Sequence, residues 1–256
     1  MQHLFCPDGE LALAALMRLR PLLAFDFDGT LTPIVTRPAD ARIPRPVVSR
    51  LQALAARLPV AIVTGRALAD VRDRLGFVPQ FVVGSHGAED DSDPAGTAAR
   101  IAGLDSLRAL LRAQAGPLAA AGVAVEDKGA SLALHYRLSR KREQARALID
   151  ELLAPLASSL QIFGGKMVVN AMVAGAPDKA DSVLALVARC GAAAAFFAGD
   201  DLNDEPVFAA APPHWLTVRI GRDDPTSRAH FGLDGPRDMA LLLDRMLALL
   251  EPQPVR

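Results

Sequence analysis

Pro21-Leu22-Leu23-Ala24-Phe25-Asp26-Phe27-Asp28-Gly29-Thr30-Leu31-Thr32-Pro33 runs from an unbroken apolar stretch straight into two acids and a glycine. The apolar part, residues 21–27, reads as a short strand buried on both faces, as in parallel sheets covered by helices. Paired acids directly after such a strand are poor core material, because an unpaired buried carboxylate is costly. A turn or helix cap would need only one Asp. Gly29 allows the chain to turn sharply and bring backbone N–H groups near a ligand.

Working outward, residues 11–19, 47–57 and 68–75 show helical spacing, and 59–63 and 81–83 are short strands. The middle differs. Residues 104–118 form an amphipathic helix, and 123–126 and 131–137 alternate around Asp127-Lys128-Gly129-Ala130 as a hairpin. A charged amphipathic helix over 140–156 follows, then a second hairpin of 160–163 and 166–172 around Gly164-Gly165. Such a block predicts a small α+β layer with one open sheet face. The first rhythm then resumes, with helices over 179–189, 204–210 and 236–250 and strands over 193–198 and 216–220. The expected fold is α/β: a doubly wound parallel-sheet, Rossmann-like core from 1–103 and 177–256, with an inserted α+β cap domain over 104–176. At 256 residues, one core plus a smaller unit is a natural division.

Composition narrows the partners. The net charge is −1 and no long Lys/Arg block appears, so neither nucleic acid nor a membrane surface finds an electrostatic footprint. A small anionic substrate stays open. Cys6 and Cys190 lack CxxC spacing and a nearby His cluster, and read as reduced thiols. The apolar run 11–17 follows Asp8 and Glu10 and meets Arg18 and Arg20 at once, unlike a signal peptide. No apolar run approaches the ~18 residues that a membrane span needs. A cytoplasmic monomer is expected. Of 28 basic residues only Lys128, Lys141, Lys166 and Lys179 are Lys, positions where a compact ammonium suits better than a planar fork.

In open α/β sheets, ligands bind beyond the carboxyl ends of the strands. There the second strand offers Thr64-Gly65-Arg66: a hydroxyl, a permissive backbone and a cation, or equally an ordinary turn capped by Thr64. Another strand runs into Gly199-Asp200-Asp201-Leu202-Asn203-Asp204. Its three Asp repel one another unless a cation compensates or water surrounds them. Magnesium takes one or two carboxylates together with waters and phosphate. Lys179 opens a helix, where a cation opposes the macrodipole, so a role facing an anion explains it better than helix stability.

Together, Asp26-x-Asp28-Gly29-Thr30, Thr64, Lys179 and Gly199-Asp200-Asp201-x-x-Asp204 resemble, in order and in strand context, the four motifs of the haloacid dehalogenase-like phosphohydrolases. The resemblance implies that Asp26 is the nucleophile and Asp28 the acid and base. It also implies Mg2+ held by Asp26, the backbone carbonyl of Asp28, and Asp200, with Asp204 bound directly or through water. Thr64 and Lys179 would hold the phosphoryl oxygens. The second acid, Asp28, favours a phosphatase, since the superfamily's transport ATPases and dehalogenases lack it. The insertion resembles a type-2 cap, which reads the leaving group.

More narrowly, the chain resembles the trehalose-6-phosphate phosphatase family. The match lies in residues 26–33, Gly84-Ser85-His86-Gly87, Glu126-Asp127-Lys128 with His135-Tyr136-Arg137, Gly165-Lys166-Met167-Val168-Val169, and residues 199–205. This implies hydrolysis of trehalose 6-phosphate to trehalose and phosphate, with a small sugar phosphate as partner. His86, Glu126 and Lys128 would contact sugar hydroxyls, with Gly65 and Arg66 also on the substrate. Without the family, His86 reads as a turn residue, Lys128 as a solvated hairpin tip and Glu126 as the polar face of a strand. Two departures stand out. Asn170-Ala171-Met172-Val173-Ala174 replaces the family's Glu-x-Arg-Pro, so Asn170 stands where a sugar-holding Glu is expected, keeping an acceptor but losing the charge. Ala180 follows Lys179 where Gly is usual. Sucrose phosphate and mannosylglycerate phosphate are the alternative substrates. An inactive sugar-phosphate sensor is the non-enzyme alternative, opposed by the retained Asp26, Asp28, Lys179 and Asp200.

Overall fold

The computed structural model describes residues 1–165, 167–221 and 224–251. Lys166, which the sequence reading placed at the second cap hairpin, lies outside the described residues. The chain divides into two compact units, one of Met1–Gly87 with the chain from Asp178 onward, the other Ala88–Pro177. The second unit therefore begins before residue 104, the start expected from sequence.

In chain order the first unit opens with α1 (Pro7–Arg18), β1 (Leu22–Phe25), α2 (Arg45–Ala55), β2 (Val60–Val63), α3 (Leu68–Leu75) and β3 (Phe81–Gly84). The second unit follows with β4 (Glu89–Asp90), α4 (Pro94–Gly103), α5 (Asp105–Ala113), α6 (Ala115–Ala120), β5 (Ala124–Asp127), β6 (Leu132–His135), α7 (Arg142–Leu153), β7 (Leu160–Gly165) and β8 (Val168–Val173). The first unit is completed by α8 (Lys179–Cys190), β9 (Ala195–Gly199), α9 (Glu205–Ala210), β10 (Leu216–Ile220), β11 (Phe231–Leu233) and α10 (Met239–Leu249).

The first unit's strands lie in the order β11-β10-β9-β1-β2-β3, every pairing parallel. From β1 the chain winds one way to β2 and β3, and later the other way from β9 to β11. The switch point therefore falls between β1 and β9, and their carboxyl ends open the crevice where such folds bind ligands. All four residues of β1 and all five of β9 are buried, as the unbroken apolar runs required. Phe25 and Phe196 meet with ring centroids 5.6 Å apart. Helices α1 and α2 pack on α10, while α8 packs on α9 and on β1.

The second unit builds an antiparallel sheet in the order β5-β6-β8-β7. Leu132, Leu134, Val169 and Ala171 face the apolar cluster that Leu107, Leu111, Ala145 and Ile149 share from α5 and α7. The register aligns Glu126, Ala133, Asn170 and Phe163 across the four strands, so these side chains share the other face. Glu126 is exposed on that face, but Ala133 and Asn170 are buried, and Met172 and Phe163 pack there with Ile101 of α4, so the face that the sequence predicts to be open is partly covered. The single helix expected over 104–118 is two, α5 and α6, parting at Gln114. Pro117 has no N–H for the carbonyl of Ala113, and its ring crowds that carbonyl. Helix α4 has no strong apolar face; Asp93 caps it by accepting the Gly96 N–H at 2.9 Å, with Pro94 as its first residue.

Candidate active site

Asp26 follows β1 directly, and its N–H donates to the Ala198 carbonyl of β9 at 2.9 Å, so backbone pairing fixes it at the switch point. The chain then turns tightly: Leu31 and Thr32 N–H groups donate to the Phe27 carbonyl, and the Gly29 N–H donates to Thr32. Gly29 has φ +80°, and a Cβ there would lie 2.2 Å from an Asp200 carboxylate oxygen. Only glycine lets the acids after β1 and β9 approach this closely.

Lys179 is 1 % exposed and its ammonium donates to Asp26 at 2.8 Å and to Asp204 at 2.7 Å. A capping box aims it: Asp178 accepts the Asp181 N–H at 2.9 Å, and Asp181 accepts the Asp178 N–H at 3.1 Å. Asp204, fully buried, accepts Lys179 on one oxygen and the N–H groups of Asp200 and Asp201 on the other, at 2.9 and 3.0 Å. Asp26, Asp200 and Asp204 each present an oxygen within 4.8 Å of the others.

The charges strain against one another. Burial pushes the Asp26 carboxyl well above its usual range; Lys179 opposes that, and Asp204 and Asp200 add to it. Burial also pulls the Lys179 ammonium down, but Asp204 and Asp26 outweigh it and hold the proton on. Three carboxylates against one ammonium leave two negative charges, which one divalent cation offsets. The donors are all hard oxygens, the set that magnesium prefers. The residues fit that ion.

The remaining expected residues divide between the units. Thr64, 1 % exposed at the end of β2, accepts the Arg66 N–H at 3.2 Å. His86 follows β3 in a left-handed conformation, φ 61°, after Ser85 at φ 47°. Two consecutive non-glycine residues in that region are costly and mark a position held by its surroundings. A Cβ on Gly65 would lie 2.3 Å from the His86 ring, which explains a glycine beside it. Arg66, expected among the substrate contacts, has its guanidinium on other groups: Asp28 by two bonds of 2.6 and 2.8 Å, Asp70 at 2.7 Å and the Pro38 carbonyl at 2.9 Å. It also lies over the Phe27 ring, 5.3 Å from the centroid. The Asp28 carboxylate, 44 % exposed, is thus held by Arg66.

In the second unit, Glu126, Asn170 and His135 share one sheet face, and Lys128 lies in the turn after β5. The Lys128 ammonium is 3.8 Å from Glu126, whose same oxygen lies 2.8 Å from His135 Nε2. Asn170 is 5 % exposed, and its amide has no hydrogen-bond partner among the described residues. The sequence assigns His135 no role; its alternation with Ala133 is the signal that puts it on this face.

A family model described as trehalose-phosphatase matches residues 24–226, a stretch that contains Asp26, Asp28, Asp200 and Asp204. The chain belongs to the trehalose-phosphatase family. Its relatives include trehalose-phosphate phosphatases of Mycobacterium bovis and Mycobacterium tuberculosis, each 34 % identical over 98 % of this chain and 68 % of the relative. That of Mycobacterium marinum is 33 % identical over 98 % of this chain and 66 % of the relative. Among solved structures, the C-terminal domain of C. albicans trehalose-6-phosphate phosphatase superposes with a TM-score of 0.77 at 21 % identity, covering 94 % of this chain and 97 % of that one. A trehalose-6-phosphate phosphatase related protein gives 0.71 at 22 %, covering 89 % and 97 %. At such identities the structures speak for the fold, and the sequence relatives carry the family. Trehalose-phosphatase family members are phosphoric monoester hydrolases, so the family assigns an enzyme class as well as a fold. No helix among the described residues is long and apolar enough to cross a membrane.

Proposed function

We propose that the chain is a magnesium-dependent phosphatase that converts trehalose 6-phosphate and water to trehalose and phosphate through a phosphoryl group carried on Asp26. The observation that carries this reading is Asp26 at the switch point, bonded to buried Lys179, with Asp28 two residues on and the Asp200 carboxylate against Gly29. An unreactive monoester needs a nucleophile, a proton donor and compensation for its charge, and these four residues provide all three.

In the first step an Asp26 oxygen attacks phosphorus, the bond to the sugar oxygen breaks, and that oxygen takes the proton of Asp28. In the second, Asp28, now a carboxylate, takes a proton from water as the water oxygen attacks the phosphorus on Asp26. Phosphate leaves and both carboxyls return to their starting states. Thr64 and Lys179 hold the phosphoryl oxygens as their charge redistributes. Arg66 holds Asp28 when it is a carboxylate, as it is between the two steps. A bound Mg2+ would neutralise nucleophile and phosphate so that they can approach. Asp26, Asp200 and the Asp28 backbone carbonyl would hold it. Asp204, with both oxygens already accepting, holds Lys179 and the turn after β9 from behind.

The second unit acts as the cap that selects the sugar, with Glu126, Lys128 and Asn170 meeting its hydroxyls; His86 contacts it from the core. That the relatives in Mycobacterium bovis and Mycobacterium tuberculosis are trehalose-phosphate phosphatases supports trehalose 6-phosphate as the substrate. The test is phosphate release across trehalose 6-phosphate, sucrose phosphate and mannosylglycerate phosphate, with and without a chelator. Turnover highest on trehalose 6-phosphate and lost with the chelator is expected. Preference for another sugar would overturn the substrate, and chelator-insensitive turnover would overturn the metal.

A further inference from the structure

Arg108 has no part in the chemistry above, yet its side chain is 13 % exposed and fully engaged. From α5 it donates to both Asp127 oxygens, at 2.8 and 3.2 Å, and to the Gly129 carbonyl. Its remaining nitrogen donates to the Ile101 carbonyl at 2.6 Å and to Asp105 at 3.0 Å. The Asp127 carboxylate also accepts the Gly129 N–H at 2.9 Å. The residue between these two clamped neighbours is Lys128, whose own N–H donates to the Ser131 carbonyl at 2.9 Å. From the other side, Glu89 on β4 accepts the Ala130 N–H at 3.4 Å, and Gly129, at φ +83°, leaves the room for that contact.

A four-residue hairpin loop is a common connection and does not need this much fixing for stability alone. What the clamp fixes is where an otherwise flexible lysine stem starts. We infer that Arg108 is a positioning residue for substrate selection, holding the Asp127–Gly129 turn so that Lys128 is preset beside Glu126. This rests on the reading that Lys128 meets the sugar. The guanidinium is suited to the task because its planar fork meets a carboxylate and a carbonyl at once, which an ammonium cannot do. The bond from Arg108 also holds the Asp127 carboxyl below its usual range; burial opposes this, and the Gly129 N–H adds to it.

The test compares kcat/KM for trehalose 6-phosphate and for p-nitrophenyl phosphate, which offers no sugar hydroxyls, in Arg108→Met, Lys128→Ala and their double variant. Arg108→Met should lower kcat/KM on the sugar about tenfold or more, mainly through KM, and leave the aryl phosphate within about twofold. Lys128→Ala should do the same, and the double variant should be no worse than the poorer single, because Arg108 acts through Lys128. Asp127→Asn keeps the packing and should show a smaller loss in the same direction, so the inference remains testable should Arg108→Met unfold. Multiplying losses in the double variant, equal losses on both substrates, or an unaffected Arg108→Met beside an impaired Lys128→Ala would overturn the inference alone. An unaffected Lys128→Ala would overturn the sugar-reading role of Lys128 and the inference with it.

Discussion

Replacing Lys179 by Met removes the one positive charge between two buried carboxylates and nearly preserves volume. The ammonium's bonds to Asp26 and Asp204 are 2.8 and 2.7 Å long, and the three side chains are 1 %, 7 % and 0 % exposed. Water therefore does not screen what is left behind. Breaking a buried pair from one side costs about 3–5 kcal/mol, because the opposing charge stays buried and unpaired. At about 2–4 °C per kcal/mol for a domain of this size, Tm should fall by roughly 6–20 °C. Asp204→Asn added to Lys179→Met removes one of the stranded charges and should restore part of the loss. Differential scanning calorimetry in metal-free buffer reads all three proteins. On the phosphatase reading, kcat of Lys179→Met also falls by about 10²–10³. A Tm within about 2 °C of the parent would refute the claim that Lys179 compensates this cluster, as would a double variant less stable than the single.

Three further outcomes follow from the same geometry. Asp28→Asn should damage the second step more than the first when the substrate is an aryl phosphate, since a good leaving group needs little protonation; rapid-quench analysis should find accumulating phosphorylated protein, and equal slowing of both steps would assign Asp28 wrongly. Asn170→Ala should lower kcat/KM for the sugar phosphate about tenfold and spare the aryl phosphate, which steady-state kinetics on the two substrates checks. Because Asp127 is held below its usual range, the folded chain binds fewer protons than the unfolded one as pH drops below about 4, so that contribution is present above about pH 4 and lost as pH falls through the folded value. Urea midpoints measured against pH should accordingly fall less steeply on the acid side for Asp127→Asn than for the parent.

The parts of the fold that were legible from sequence are those where packing and pattern agree. Strands β1, β2 and β9 are short apolar runs because helices cover both their faces, and α3 and β10 fall on the ranges read from sequence. Helix α4 escaped because Ala, Gly and Thr give it no apolar stripe; only Asp93 before Pro94 marked its start, and this moved the second unit's boundary from 104 to Ala88. Strand β4 has two residues and β11 three, too few to show a period. At the site, residue types announced the chemistry but not the pairing. Arg66 follows Thr64-Gly65 at a strand end and reads as a substrate cation, yet its place on Asp28 depends on Asp70 and Pro38, which no local spacing reveals. Arg108 shares α5 with Arg112, and nothing in its neighbours points nineteen residues on to Asp127. The shared face of Glu126 and Asn170 needed the β6 register, which places Ala133 between them.

The most direct test of the central claim is peptide mapping of the enzyme acid-quenched during a single turnover of trehalose 6-phosphate with Mg2+. A phosphoryl group on the peptide that contains Asp26, rising before free phosphate and absent from Asp26→Asn, is the predicted result. Phosphate released at full rate with no phosphorylated protein at any time, or a phosphoryl group on another residue, would contradict it.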